Sequence, residues 1–448
     1  MRAALLALAL VLPSAGPVQA SRAFTLISLV GETLPGGGET LHFTGLGIEA
    51  DGDVVLGSRA PGIIPTTHTV VRWSAGTFTK IAATGDPIPG KAAGWLDVSP
   101  GGVNAAGDVL LVGRPDVYGD TLLAHVDAAG SGSFLAAQGD VPAPGPWGFE
   151  HLWQYSRPRG GEVAVYASTL NGPAGVFIVR SGTDSTVVLE GDPKPGGGLF
   201  EYLGAPDRNA SGDVLVPDPD GLYRWSSGVF TAVVENGDLA PGGSSYLQIY
   251  GGSIDDSGRI VFQAYFDPAA TDRGIYQHDG SDVTAIVRTG DPAPGGGTFG
   301  IQWSPRSNSR GDVFFKANLD DGRKGLFVAV SGEIYLVAIV GDVAPGTGGG
   351  TFDDFGFADL NTSRQVVFEA DVTGGSASGG VFLAERPPTG APAVSPGGLV
   401  VLATFVSFVG ASALRASSGR RRGLVHRKKR SRIRVHRKNK PRIRYPLA

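Results

Sequence analysis

Between Phe24 and Glu385 the apolar positions fall in short runs rich in Val, Ile, Leu and Phe, each bounded by Gly, Pro, Asp or Asn. Runs this short, with alternating polar positions and no helical period, predict strands joined by tight turns. Two punctuation marks recur in phase. A Gly-Asp-x-x-Pro-Gly type motif begins at Gly31, Gly85, Gly139, Gly191, Gly237, Gly290 and Gly341, at intervals of 54, 54, 52, 46, 53 and 51 residues. A second motif falls midway each time, starting at Glu49, Asn104, Pro158, Asn209, Asp255, Asn308 and Asn361. After each Gly-rich loop comes a run with aromatics, such as Phe299 to Ser304, and after the midway turn a second, such as Val313 to Ala317. A third opens on Gly (Gly221 to Trp225, Gly274 to His278, Gly325 to Ala329), and a fourth leads into the next Gly-Asp (Phe230 to Glu235, Val283 to Arg288). Four strands in a period of about 50 residues predict one propeller blade.

The ends of the array decide between an open row and a closed ring. Phe24 to Val30 is a fourth strand with no first three before it, whereas Phe352 to Ala384 supplies three strands and no fourth. Pairing the orphan with the last unit satisfies backbone edges that an open stack would expose. The fold class expected is all-β: a seven-bladed β-propeller over residues 21–386, closed by its N-terminal strand lying beside Val381 to Ala384. A linear β-solenoid is the competing arrangement, but it ordinarily uses shorter repeats.

Composition narrows the chemistry. The chain has 448 residues, with 70 Gly, 31 Pro, 42 % hydrophobic residues and no Cys. A packed core is within reach, while disulfides, thiolate metal sites and a cysteine nucleophile are excluded. Charge is split along the chain: residues 415–448 hold 15 of the 38 Lys and Arg and no acid, so residues 1–414 carry 23 basic against 42 acidic groups, a net of −19. A body this acidic repels phosphate backbones, so no nucleic-acid partner is expected for the propeller.

The ends read as addresses. Met1 to Ala20 has Arg2, the apolar run Ala3 to Leu12 and small residues before Ala20, the pattern of a cleaved secretory signal. After a Pro/Gly-rich linker at 387–396, Gly397 to Leu414 runs 18 residues without a charge and is followed by Arg415 and Arg420 to Arg422. At 1.5 Å per residue it covers about 27 Å, enough for one transmembrane or sorting helix, with the basic side held in the cytoplasm. The expected topology is an exported, membrane-anchored, extracytoplasmic propeller with a basic cytoplasmic tail over 415–448. Pro392 to Pro396, the apolar span and the Arg cluster resemble the C-terminal sorting domains of bacterial exported proteins, although no complete Pro-Glu-Pro motif is present.

A second resemblance covers the repeats. The NxxGxxxF pattern at Asn308 to Phe315, its Asp variant at Asp255 to Phe262, and GDPAPGGGTF at Gly290 to Phe299 resemble a family of uncharacterised bacterial surface proteins with tandem repeats of these motifs and variable C-terminal anchors. The resemblance implies export and surface display, and carries over no catalytic residue.

Candidate chemistry is weighed against turn chemistry. The motif places Asp86, Asp140, Asp192, Asp238, Asp291 and Asp342 on one rim, with Glu32 in the first copy. Asp there is expected to accept the amide two residues on, with Gly supplying positive φ. Glu49 to Val54 resembles part of a calcium loop but lacks its alternating ligands and closing Glu, so a hairpin is expected. Loops between second and third strands (Arg114 to Asp120, Pro217 to Asp220, Phe266 to Arg273, Leu319 to Lys324) vary most and share that rim. They are the expected place for a glycan, cell-wall polymer or protein ligand. Trp95, Trp147, Trp153 and Trp303 lie in or beside first strands, where core packing is favoured over sugar stacking. The ring's His residues show no metal spacing, and no GxSxG elbow or Walker loop occurs. No catalytic, cofactor-binding or metal residue and no cofactor is assigned. A monomeric, non-enzymatic surface binding or display module is expected; the alternative is an extracytoplasmic carbohydrate-active hydrolase on the same fold.

Overall fold

Each motif marks a chain reversal, so consecutive strands pair antiparallel and in sequence order. The computed structural model describes residues 23–60, 66–115, 121–142 and 145–385, which hold seven four-stranded sheets and no helix. The first strand, β1 (Phe24–Leu29), stands apart from the sheet that follows it. Blade 1 comprises β2 (His42–Ile48), β3 (Val54–Arg59), β4 (His68–Ser74) and β5 (Thr77–Ala83), and blade 2 comprises β6 (Asp97–Val103), β7 (Val109–Arg114), β8 (Leu122–Val126) and β9 (Gly132–Ala137). Blade 3 follows as β10 (Phe149–Tyr155), β11 (Glu162–Thr169), β12 (Gly175–Arg180) and β13 (Ser185–Leu189). In blade 4, β14 (Asp207–Arg208) is cut to two residues behind Pro206, and β15 (Val214–Asp218), β16 (Gly221–Ser226) and β17 (Val229–Glu235) complete the sheet. Blade 5 is β18 (Gln248–Ile254), β19 (Ile260–Tyr265), β20 (Arg273–His278) and β21 (Val283–Arg288). Blade 6 is β22 (Phe299–Ser307), β23 (Val313–Leu319), β24 (Lys324–Val330) and β25 (Glu333–Ile339). Blade 7 takes β26 (Thr351–Leu360), β27 (Val366–Thr373) and β28 (Gly379–Ala384) from the end of the array.

Its fourth strand is β1. The order is β1-β28-β27-β26, with Thr25 opposite Leu383, Leu26 opposite Phe382 and Leu29 opposite Gly380. The ring therefore closes as the repeat phase predicts, and among the described residues the strand partners run from Phe24 to Ala384. The signal at 1–20, the linker at 387–396, the apolar span at 397–414 and the tail at 415–448 lie outside the described residues. Among the described residues no helix is long and apolar enough to cross a membrane.

Seven buried clusters hold the ring, one at each contact between neighbouring blades. Second strands are covered on both faces, which is why they read as nearly unbroken apolar runs such as Val109-Leu-Leu-Val112. The motif aromatics meet inside blades 5, 6 and 7. Phe315 stacks on Phe327 at 5.5 Å, and Phe299 from the preceding Gly-rich loop meets Phe327 edge-on at 4.9 Å. Phe368, Phe382 and Phe352 repeat the arrangement in blade 7, and Phe262, Tyr276 and Tyr246 in blade 5. Each edge-on pair adds about 0.5–1.5 kcal/mol to the area buried.

Candidate functional site

The Gly-Asp loops and the loops between second and third strands share one rim. Lys194 Nζ, from the loop before blade 4, reaches Asp218 at 2.9 Å, and Asp320 of blade 6 accepts the amide of Thr298 at 3.1 Å. All seven motif glycines take φ between 88 and 98°, which turns the chain immediately before the acid. That reversal corrects the expected direction of the Asp hydrogen bond. The carboxylate folds back and accepts the amide three residues before it: Leu189 N to Asp192 at 2.8 Å, Glu235 N to Asp238 at 2.9 Å, Arg288 N to Asp291 at 2.7 Å. Glu32 does the same for Leu29 at 3.0 Å. The amide two residues on is taken by the loop's own hairpin, as in Lys194 N to Gly198 O at 3.1 Å and Ala293 N to Gly297 O at 3.0 Å. These carboxylates are therefore turn caps. Asp291→Ala is expected to cost about 1 kcal/mol in urea denaturation, and added calcium to leave the wild-type midpoint where it was.

The midway motif builds the opposite rim and ties blades together. Asn308 Oδ1 accepts the amides of Arg310 and Asp312, while its Nδ2 donates to Asp312 at 3.1 Å and to the carbonyl of Asn361 in the next blade at 2.9 Å. Asn361 Nδ2 repeats the step onto Glu49 O at 3.0 Å, and Asn209 Nδ2 onto Asp255 O at 3.2 Å. Where Asp255 replaces Asn, Arg259 replaces the acid four residues on and pairs with it at 2.7 Å. Arg364, in place of the turn Gly, takes φ +67° and bonds Asp312 at 3.0 Å. The Arg310-Gly311-Asp312 triplet is thus a turn with a buried Asp. Glu49, Asp51 and Asp53 lie within ligating distance of one another in the hairpin between β2 and β3, but Glu49 is held by Arg72 at 2.7 Å and Asp51 accepts the Asp53 amide at 3.1 Å.

The tryptophans separate. Trp95 is buried between blades 1 and 2, as core packing requires, and Trp147 packs over Gly172. Trp153, on the innermost strand β10, is 57 % exposed and lies edge-on to His151 at 4.9 Å, against the core-packing expectation. A β-bulge between Leu152 and Gln154 takes it out of the alternation that would bury it.

Where the innermost strands converge they enclose a channel of about 640 Å³. Blades 1, 2 and 5 line it with glycine (Gly45, Gly101, Gly102, Gly251, Gly252), and blades 3, 4, 6 and 7 bring Arg157, Arg159, Asp207, Arg306 and Asp359. Sequence reasoning missed these five: four lie outside the motifs, and Arg159 sits in the atypical copy that begins at Pro158. Arg157 is ion-paired to Asp359, and Arg159 stands 3.7 Å from Asp256. Asp207 accepts the Ile254 amide at 2.9 Å, and burial pushes its carboxyl above the usual range.

Residues 18–322 and 216–387 match the model of a family of unknown function, DUF7453. The chain belongs to that family. No curated protein matches the chain. This DUF7453 member is similar to the β-propeller domain of the trilobed protease from Pyrococcus furiosus, which has an open velcro topology, at 11 % identity and a TM-score of 0.49 over 77 % of this chain and 92 % of that one. It is also similar to polysaccharide lyase Uly1 (12 % identity, TM-score 0.42, 78 % of this chain, 89 % of that one). A third likeness is to a puromycin-hydrolysing peptidase of Mycobacterium tuberculosis (13 % identity, TM-score 0.34, 74 % of this chain, 58 % of that one). Likenesses this distant bear on neither activity nor ligand.

Proposed function

We propose that the propeller is an exported, membrane-anchored, non-enzymatic binding module whose recognition surface is the rim carrying the Gly-Asp loops. The observation that carries this reading is where the exposed large apolar side chains fall. Of twelve among the described residues, eight (Leu41, Val141, Leu170, Leu199, Tyr202, Leu239, Leu247, Val343) lie in loops of that rim, and three (Trp153, Tyr250, Phe357) on innermost strands. Only Val229 sits at the opposite rim. Single exposed apolar residues are ordinary on any surface, but one-sided crowding is a mark of an interaction face. Tyr202 and Leu239 are the most exposed, at 78 % and 72 %.

A hydrolase would need two carboxylates free to exchange protons with substrate. Asp207 and Asp359 in the channel are each engaged by a backbone amide of the next blade, Ile254 N at 2.9 Å and Ile48 N at 3.2 Å, which supports binding over bond cleavage. The test is a glycan and cell-wall polymer array probed with residues 21–388, in calcium and in chelator. Retention of an extracellular polymer is expected, and Tyr202→Ser with Leu239→Ser should weaken it by more than about tenfold, since each apolar side chain contributes about 1.5–3 kcal/mol when covered. Equal retention by the double variant would remove the rim from the account.

A further inference from the structure

Aligning the blades on the midway motif exposes a channel position two residues before it. The seven blades place there Gly47, Gly102, Ser156, Asp207, Ser253, Arg306 and Asp359. Three of these side chains accept the amide just before the motif in the following blade: Asp207 from Ile254 at 2.9 Å, Ser253 from Ser307 at 2.9 Å, and Asp359 from Ile48 at 3.2 Å. An acceptor at this position is a staple between blades. Arg306 has no acceptor to offer, and the corresponding amide, Leu360 N, is taken at 2.9 Å by Asp359 instead. The ring is thus closed without Arg306.

Asp359 and Asp207 act on the Arg306 charge only from beyond ion-pair distance. Among the described residues Arg306 makes no hydrogen bond and no ion pair, and its side chain is exposed to the channel. The pairing of β22 with β23 slips between Trp303 and Arg306, as first strands of other blades also do, and here Ser304 takes φ +57° before Pro305. A bulge with a non-glycine residue in the left-handed region costs about 1–3 kcal/mol and re-aims the side chains beside it. The walls bring three Arg and two Asp to the cavity, and Asp359 is committed to Arg157. Arg159 stands 3.7 Å from Asp256, so among the charged groups of the wall Arg306 and Asp207 are the two outside an ion pair. Enclosure by the walls and the like charge of Arg157 push the Arg306 guanidinium below its ordinary range, against the opposing pull of Asp359 and Asp207.

We propose that the central channel binds an acidic saccharide, with Arg306 anchoring its carboxylate or sulfate group. Both groups are planar-faced or tetrahedral oxyanions that a guanidinium meets with two parallel hydrogen bonds. The rest of the wall suits a hydroxylated ligand: Ser304 exposes a hydroxyl there, and Tyr155 and Phe357 supply aromatic surface. About 640 Å³ lies within the range of small-ligand cavities. The inference rests on the reading of the molecule as a binding module, but it uses the channel and not the rim.

The experiment is calorimetric titration of the full chain with glucuronate, glucose 6-sulfate and glucose. Physiological salt is used because it screens the acidic body beyond about 8 Å. At least one acidic sugar is expected to bind about tenfold or more tightly than glucose, and the two acidic arms tell carboxylate from sulfate. Arg306→Gln should erase the preference and Arg306→Lys keep part of it. Gly251→Asp, whose added Cβ meets only Pro217 at 3.7 Å, should also weaken acidic sugars, by adding a negative charge to the cavity wall while leaving Arg306 in place. Equal binding of all three sugars, or an unchanged preference in both Arg306→Gln and Gly251→Asp, overturns the proposal. If no free sugar binds while a polymer is retained through Tyr202 and Leu239, the channel site falls and the module reading stands; if neither binds, both fall.

Discussion

A chain lacking residues 21–30 is expected to lose its cooperative thermal transition. Those residues contain β1, the outermost strand of blade 7, and their loss strips β28 of its partner from Ala384 to Gly380. Val381, Phe382, Leu383 and Ala384 are all at most 5 % exposed in the closed ring. Ile27 enters the core between blades 7 and 1, and Phe24 meets Phe352 at 5.5 Å and Phe368 at 5.8 Å, both edge-on. The side chains of Phe24, Leu26 and Ile27 and a ladder of backbone hydrogen bonds together contribute on the order of 5–10 kcal/mol, as much as the net stability of a typical domain. The exposed edge would also recruit other chains, so size-exclusion chromatography should show soluble aggregate. The graded version, Phe24→Ala, should lower stability by about 3 kcal/mol. Cleavage after Ala20, where the sequence predicts it, would leave all of β1 in the mature chain. A truncated protein melting at the wild-type temperature would show that the clasp contributes nothing.

The ring was legible because its information is redundant. Both motifs mark turns, their glycines need positive φ, and their aromatics meet in the same stacked and edge-on arrangement in blades 5, 6 and 7. Any one of these signals repeated seven times would set the period. What escaped depends on where side chains point and on contacts between blades. The direction of the Asp cap depends on where Gly191 points the carboxylate, which residue types alone do not specify. The step from Asn308 to Asn361 joins side chain to backbone 53 residues on, and no spacing within one repeat announces it. Trp153 is exposed by a bulge, and bulges in β10 and β22 have no sequence mark of their own beyond the Ser304-Pro305 pair. Arg306 did leave a trace: two positions before the motif, the other blades hold Gly, Ser or Asp, and one holds a cation. Such a departure is visible only after the blades are aligned on the motif.

Asn308→Asp is expected to be the most damaging single substitution at the midway rim. Asn308 is 4 % exposed, and its Nδ2 faces two acceptors, Asp312 Oδ2 at 3.1 Å and Asn361 O at 2.9 Å. A carboxylate there would put two buried negative charges side by side and leave the Asn361 carbonyl without its donor. Arg364, 3.0 Å from Asp312, neutralises only one of them. The cost should be about 3–5 kcal/mol near neutral pH, read from urea denaturation. The pH dependence has a definite sign. The pair can persist in the fold only by sharing a proton, so one carboxyl titrates higher folded than unfolded. Its penalty is then smallest at low pH and grows as pH rises through that folded value. The exchange Asn308→Asp with Asp312→Asn should recover part of the loss at pH 8, because it removes the repulsion yet restores neither the bond to Asn361 nor the pair with Arg364. Blade 5 shows why charge alternation is the rule to satisfy: Asp255 occupies the Asn position there, with Arg259 at 2.7 Å and its own carboxylate oxygen accepting the Ser257 and Arg259 amides. Equal midpoints for wild type and Asn308→Asp at pH 8 would mean that the blades are held by their apolar clusters alone.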